Sequence, residues 1–289
     1  LSNFKLNKIG KTDDSPGKPQ VKRKSSKLHA FSYIGGKYFL IPLLIAMIPA
    51  HVCYVEMFGG SGSFLLNKPT SEVEIYNDIN SSVVNFFRVL REQPKKLVKL
   101  LNSTPYARDE FAVCKRNHEM VSSELERARM FYVKSQQSFS GRGNDWGVSV
   151  TNNHAKVFSN KSNRLLDISA RLKHVAIENR DFKFIFKHHL KNNDSFGYLD
   201  PPYVHSTRTT KNDYTYEMTD RDHEELLTLA NQSPAKLLIS GYDNPLYRKH
   251  LKGWHKKKID VACHSAYSPN QKEKARRTEV LWWNYDLKS

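Results

Sequence analysis

Hydrophobic positions fall into two regimes along the chain, short apolar runs with turns at both ends and a polar, helical stretch in the middle. Residues 38–48 carry apolar side chains densely enough for a buried helix ending near Pro49. Val52 to Met57 reads as a short buried strand, followed by the turn Phe58-Gly59-Gly60-Ser61-Gly62 and a short helix around Ser63 to Asn67. Val73 to Tyr76 is a second strand, ending at Asn77-Asp78, and a helix follows from about Asn80 to Arg91. Strand, glycine turn, helix, strand and acid make the first half of a Rossmann-like unit.

From Pro94 to about Leu172 the pattern turns helical and polar, broken by 138–147, a stretch of Gly, Ser, Asn and charge that reads as a loop or hairpin. Strands resume at His174 to Glu178 and Ser195 to Leu199. Thr219-Asp220-Arg221-Asp222 is a capping box that opens a helix running to about Asn231. Ala235 to Ser240 is another buried strand, and Lys257 to Cys263 and Thr278 to Tyr285 read as an antiparallel pair. No internal repeat is visible. The expected fold class is α/β, a Rossmann-like sheet with C-terminal antiparallel strands and an inserted, mostly helical domain. The expected divisions are a basic arm over 1–28, a catalytic domain from 29–87 and 171–289, and the insertion over 88–170.

Charge narrows the partners. The 289 residues carry a net charge of +17, the footprint of a nucleic-acid-binding protein. Residues 1–28 hold eight Lys/Arg with Asp13 and Asp14 and almost no apolar side chains, which predicts a disordered basic arm. Ten Lys/Arg lie between Arg248 and Arg277 among apparent strands, which predicts one basic face of a folded surface. A membrane is not the expected partner, since the longest apolar stretch, Phe39 to Ala50, is only 12 residues and holds Pro42 and Pro49. Cys53, Cys114 and Cys263 lack metal or redox spacing and suit a reducing compartment, and no metal site stands out among twelve scattered histidines.

Two segments carry candidate chemistry. Asp200-Pro201-Pro202-Tyr203 follows the apolar run Phe196 to Leu199. Each proline forces the preceding residue out of the α region, fixes its own φ and removes a donor. A carboxylate and a carbonyl are thereby set at a strand end, where both can accept from one amino group while Tyr203 covers a ring. A proline-rich turn with a capping acid reads equally well from these four residues alone. The glycine turn is the second segment. Closely spaced glycines let backbone approach a nucleotide, and Asp78, 16 residues after Gly62, stands where an acid can bind ribose hydroxyls. No Walker lysine follows, which argues against phosphoryl transfer, and taken by itself the segment reads better as a plain tight turn.

Taken in order, these motifs resemble the Dam-like DNA adenine-N6 methyltransferases, from about Tyr33 to Tyr285. Tyr33-Ile34-Gly35-Gly36-Lys37 is similar to the family's YxGGK motif, Glu56 to Gly62 to its glycine motif, Tyr76-Asn77-Asp78 to its ribose motif and Asp200 to Tyr203 to its DPPY motif. Asn179-Arg180-Asp181-Phe182 resembles the segment whose acid meets the cofactor's adenine. The resemblance implies S-adenosylmethionine as cofactor, held by Tyr33, Gly36, Lys37, Glu56, Phe58, Gly59, Gly60, Ser61, Gly62, Asp78, Asp181 and Phe182. It implies methyl transfer to the N6 amine of an adenine flipped out of double-stranded DNA, with Asp200, Pro201, Pro202 and Tyr203 as the catalytic corner. No metal is implied, and the enzyme is expected to be a monomer or weak dimer, bacterial or phage-encoded and cytoplasmic.

The insertion would then read sequence. Arg142 and Asn144 could meet guanine and adenine edges, with Trp146 packing or wedging and Arg208 and Lys211 closing over the flipped base. Here the chain departs from GATC-specific members, whose hairpin has an NR…NG…RxN pattern in place of Ser138-Phe139-Ser140-Gly141-Arg142-Gly143-Asn144. The recognition sequence is therefore open. Two other readings compete: a cytosine-N4 methyltransferase, since the same corner accepts any amidine-like amine, and an inactive DNA-binding relative.

Overall fold

A computed structural model describes residues 27–33, 35–204, 216–262 and 276–287. Arg208, Lys211 and nearly all of the expected basic arm lie outside them. The described chain opens with a 3-10 turn, Tyr38–Leu40, and helix α1, Ile41–Ala46, where the apolar pattern predicts one longer helix. Pro42 accounts for the difference. A proline is tolerated only in a helix's first turn, so the α-helix proper starts at Ile41.

Strand β1, Cys53–Glu56, leads through the glycine turn to helix α2, Ser63–Asn67, then to β2, Val73–Asn77. Helix α3, Ser81–Glu92, starts at an Asn80 cap whose side chain accepts from Ser82 N. Five helices follow: α4, Pro94–Asn102; α5, Arg108–Asn117; α6, Glu124–Gln136; α7, His154–Asn163; and α8, Leu165–Leu172. The chain then runs through β3, Val175–Glu178, helix α9, Phe182–His189, and β4, Ser195–Leu199. Helix α10, Asp220–Gln232, begins at the expected capping box, with both reciprocal bonds between Thr219 and Asp222 formed. Strand β5, Lys236–Tyr242, helix α11, Pro245–His250, β6, His255–Ala262, and β7, Arg276–Trp283, complete the described part.

The strands form one sheet in the order β3-β2-β1-β4-β5-β7-β6. The first five pair in parallel, and β7 inserts antiparallel between β5 and β6. Strand order reverses between β1 and β4, and crevices for ligands open at the carboxyl ends of strands flanking such a switch point. Asp200 follows β4 at that point.

The period-two alternation of the strands divides the core into two layers. Tyr54, Tyr76, Phe196 and Tyr198 face one side, with α3 and the helices after it. Val55, Ile75, Leu199, Leu237 and Ile239 face the other, with α9 and α10. Helices α4 to α8 share the first layer. Phe86 of α3 stacks on Tyr132 of α6 with ring centroids 5.6 Å apart, and Phe31 meets Phe86 and Phe131 edge to face. The expected boundaries at 88 and 170 fall inside α3 and α8.

Helix α9 is one the apolar pattern does not predict, because Phe182-Lys183-Phe184 alternates with a strand's period. Its fate is decided by the Asp181 cap, which accepts from Phe184 N at 2.8 Å, and by burial of Ile185 and Phe186. No helix of the described residues is long and apolar enough to cross a membrane.

Candidate active site

A solvent-open cleft of about 760 Å³ lies at the switch point. Its lining joins the glycine turn, Asp78 and Asp200-Pro201-Pro202, three segments far apart in sequence. Of the twelve residues expected to hold a cofactor, Tyr33, Gly36, Lys37, Glu56, Phe58, Gly59, Gly60, Ser61 and Asp78 line it. Gly62 lies behind the lining and caps α2 in the left-handed region, with φ +63°. Asp181 and Phe182 are not in the lining, and the Asp181 carboxylate is engaged as the α9 cap.

The turn is shaped by what cannot fit. A Cβ on Gly59 would sit 2.1 Å from the Tyr76 ring, so only glycine lets the chain pass. The Tyr76 hydroxyl in turn donates to Gly60 O at 2.6 Å. Backbone N–H groups hold the two acids of this side. Asp78 accepts from Gly60 N at 2.7 Å and from Asn80 N at 2.8 Å. Glu56 accepts from Leu65 N and from the Tyr54 hydroxyl, each at 2.6 Å. Burial outweighs these bonds and pushes both carboxyls up, Glu56 to about 7 and Asp78 to about 6.

Beside them, Asn77 ties the ends of three segments together. Its Nδ2 donates to Met57 O and Arg180 O, and its Oδ1 accepts from Arg180 N. Asn179 braces the same rim by donating to Asp78 O and Ile79 O. The half-exposed Ile79 side chain and Tyr216 also line the cleft, and sequence reasoning passed over both. An exposed apolar residue directly after the strand-end acid was the signal available for Ile79.

The other side is built from side chains. Lys37 is buried, and its ammonium donates to Asp200 Oδ1 at 2.7 Å, to the Tyr203 hydroxyl at 2.8 Å and to Gly35 O at 3.0 Å. Lys37 thus belongs to the Asp200 corner as much as to the cofactor side where the motif placed it. Ser240 also donates to Asp200 Oδ1, at 2.7 Å. The Tyr203 hydroxyl donates to Glu279 Oε1 at 2.6 Å. Its ring stacks on Tyr242, centroids 4.1 Å apart, so one face is already covered. Lys37 Nζ is 4.8 Å from that ring's centroid but 2.8 Å from its hydroxyl, so a hydrogen bond rather than a cation–π contact joins them.

In the insertion, 138–147 forms a tight hairpin closed by a bridge between Ser138 and Trp146. Arg142 and Asn144 are exposed on it. Trp146 is engaged in packing, with Tyr106 at 5.6 Å and the Arg108 guanidinium at 4.7 Å from its ring. Phe139, at 66% exposure, is the apolar side chain the hairpin offers outward. Gly141, at φ +70°, passes so close to Ser32 that a Cβ would lie 2.4 Å from the Ser32 Cβ, which seats the hairpin beside Tyr33 and the cleft. Among the described residues no cluster of three or more His, Cys, Asp or Glu could hold a metal ion.

Strand order, the reversed seventh strand and the cleft at the switch point define the class, a Rossmann-like α/β fold. Residues 33–263 match the family model described as D12 class N6 adenine-specific DNA methyltransferase, and the chain belongs to that family. The reaction of that family is methylation of adenine N6 in DNA. Similar proteins include the type II methyltransferase M.MjaIII of Methanocaldococcus jannaschii, 26% identical over 80% of this chain and 88% of that protein. The modification methylase StsI of Streptococcus sanguinis is 26% identical over 89% of this chain and 43% of its own length. The type II methyltransferase M1.LlaDCHI of Lactococcus lactis subsp. cremoris is 25% identical over 88% of this chain and 94% of its own.

Proposed function

We propose that the cleft holds S-adenosylmethionine on its glycine-turn side and presents a flipped adenine to Asp200 on the other. The residues suit that cofactor. Asp78 is assigned to the ribose hydroxyls, Ile79 offers an apolar surface to a purine, and Gly59 and Gly60 let the turn close against the Tyr76 and Tyr33 rings at the cleft. Glu56 and Asp78 are two buried carboxyls that a cationic ligand would drive to ionise. The cofactor supplies an electrophilic methyl group.

What the chain supplies is the nucleophile's environment. Adenine N6 is a poor nucleophile because its lone pair is delocalised into the ring. Hydrogen bonds from its two N–H groups to the Asp200 carboxylate and the Pro201 carbonyl favour a pyramidal nitrogen. They also stabilise the positive charge that develops there, the electrostatic effect that usually dominates catalysis. A base within a duplex cannot reach the cleft, so it must leave the stack. Tyr203, stacked on Tyr242, is assigned to flank the base. The insertion reads sequence through Arg142 and Asn144, with Trp146 as the hairpin's internal support. Arg208 and Lys211 are assigned to the strand that carries the flipped base.

The observation that carries this reading is that Asp200, Glu56 and Asp78 line one cleft although 144 residues separate the first two. DNA treated with enzyme and S-adenosylmethionine, digested to nucleosides, should contain N6-methyladenine. No modified base, or only N4-methylcytosine, would overturn the assignment. Mapping the methylated adenines along the DNA then gives the recognition sequence.

A further inference from the structure

The Asp-Pro-Pro-Tyr run does not determine which oxygen of Asp200 meets the amine, nor what fixes Tyr203. The surrounding strands determine both. Oδ1 of Asp200 accepts from Lys37 and from Ser240, each at 2.7 Å. Among the described residues nothing donates to Oδ2. Ser240 lies in β5, beside β4, and is fully buried. Its oxygen is 3.0 Å from the Tyr198 hydroxyl. The single Ser240 proton is committed to Asp200, so Tyr198 donates to Ser240, and a one-way relay runs from Tyr198 through Ser240 to Asp200.

A second arm reaches Tyr203 from the far strand. Glu279 of β7 pairs across the ladder with Tyr242 of β5. Tyr242 stacks on the Tyr203 ring while Glu279 accepts its hydroxyl proton at 2.6 Å. With that proton given to Glu279, the Tyr203 oxygen accepts from Lys37 at 2.8 Å. Ring plane and hydroxyl direction are thus both set by the β5–β7 pair. Neither Ser240 nor Glu279 belongs to any of the motifs in the chain.

We propose that Ser240 and Glu279 are positioning residues for methyl transfer. Ser240, with Lys37, rotates Asp200 so that Oδ2 faces the target amine, and Glu279, with Tyr242, fixes the hydroxyl direction and ring plane of Tyr203. The proposal rests on Asp200 being the amine acceptor. Misplacing a reacting group by about an ångström can cost on the order of a hundredfold in rate, so such small bonds can matter far more to rate than to binding.

The test uses the full chain with Ser240→Ala, Ser240→Cys, Glu279→Gln, Glu279→Ala and Asp200→Ala, and single-turnover methylation at saturating DNA and S-adenosylmethionine. Ser240→Ala is expected to slow transfer about tenfold or more. Its affinities for cofactor and DNA should stay within about twofold, because the lost bond acts on the reacting geometry rather than on uniform binding. Ser240→Cys, which retains a weak donor, should recover part of the rate. Glu279→Gln keeps an acceptor oxygen for Tyr203 and should fall less than Glu279→Ala. Adding Ser240→Ala to Asp200→Ala should slow the enzyme no further, since Ser240 acts only through Asp200. A wild-type rate in Ser240→Ala, or a rate loss that tracks lost cofactor affinity and lost thermal stability in both Ser240 variants, overturns the proposal. If Asp200→Ala itself retains transfer, the reading of the site fails instead, so the two failures are distinguishable.

Discussion

The two sides of the cleft are made differently. On the cofactor side, acids accept from backbone N–H groups within the one strand–turn–strand stretch 56–80, as with Asp78 on Gly60 and Asn80. On the target side, Asp200 and Tyr203 are held by side chains from positions 37, 240 and 279. A backbone cradle is local and depends on which residues lack a Cβ. A side-chain network is global and depends on the whole sheet being assembled. Changes on the first side should therefore act on binding and stability, and changes on the second on rate.

The strongest way to break that division is Asp200→Ala. Transfer should fall by about a thousandfold or more, the scale of losing a transition-state hydrogen bond in a preorganised site. Cofactor affinity by calorimetry and the melting temperature should stay close to wild type. Equal loss of all three would make Asp200 structural.

Next in size is a pH effect confined to the cofactor side. Glu56 and Asp78 have folded values of about 7 and about 6, above their ordinary 4.5 and 3.8. The folded protein therefore holds these protons more tightly than the unfolded chain. Their stabilising contribution is complete below about pH 4 and is lost as pH rises towards 7. For Glu56 the span corresponds to roughly 3 kcal/mol. Denaturant melts of the cofactor-free protein should show stability falling over that window, and Glu56→Gln should flatten most of the fall. S-adenosylmethionine should bind more tightly as pH rises through 6 to 7, with proton release visible in buffers of different ionisation enthalpy. A flat profile would show that these acids are ionised before the ligand arrives.

Gly59→Ala sharpens the steric half of the comparison. The added methyl would have to displace the Tyr76 ring, so a loss of roughly 1–3 kcal/mol in stability is expected, together with weakened cofactor binding. Normal melting and normal binding would show that the ring can move aside. The smallest expected effect lies outside both sides. Arg142→Ala should cost about 1–3 kcal/mol of discrimination between the preferred DNA sequence and its single-base variants. It should leave the saturated transfer rate and cofactor affinity unchanged, and competition binding measures the first of these.

The same contrast explains what was legible in the sequence. Strand, glycine turn and strand-end acid are contiguous signals, and the cradle they describe is where the pattern places it. Ser195–Leu199 and the Thr219 capping box were equally readable, because each is settled within a few residues. Lys37 was assigned to the cofactor on its motif alone, since its bond to Asp200 spans 163 positions. Ser240 and Glu279 were invisible for the same reason, a buried serine and a strand glutamate having no local mark of chemistry. Helix α9 is hidden in the sequence because charge and aromatic alternate along it, and its capping acid falls within a segment that resembles a cofactor motif. Trp146 could pack or wedge on sequence grounds, and its contacts with Tyr106 and Arg108 come from positions about forty residues away that no local pattern reveals.

The insertion of β7 between β5 and β6 has a consequence for how the protein is made. Residue 279 reaches the Asp200–Tyr203 corner on a strand that lies between two strands preceding it in sequence. Pairings this distant in sequence form late, because the loop entropy must be overcome before they are rewarded. A chain still emerging from the ribosome can thus complete its glycine turn and bury much of its core while the tyrosine of its active corner lacks this clamp.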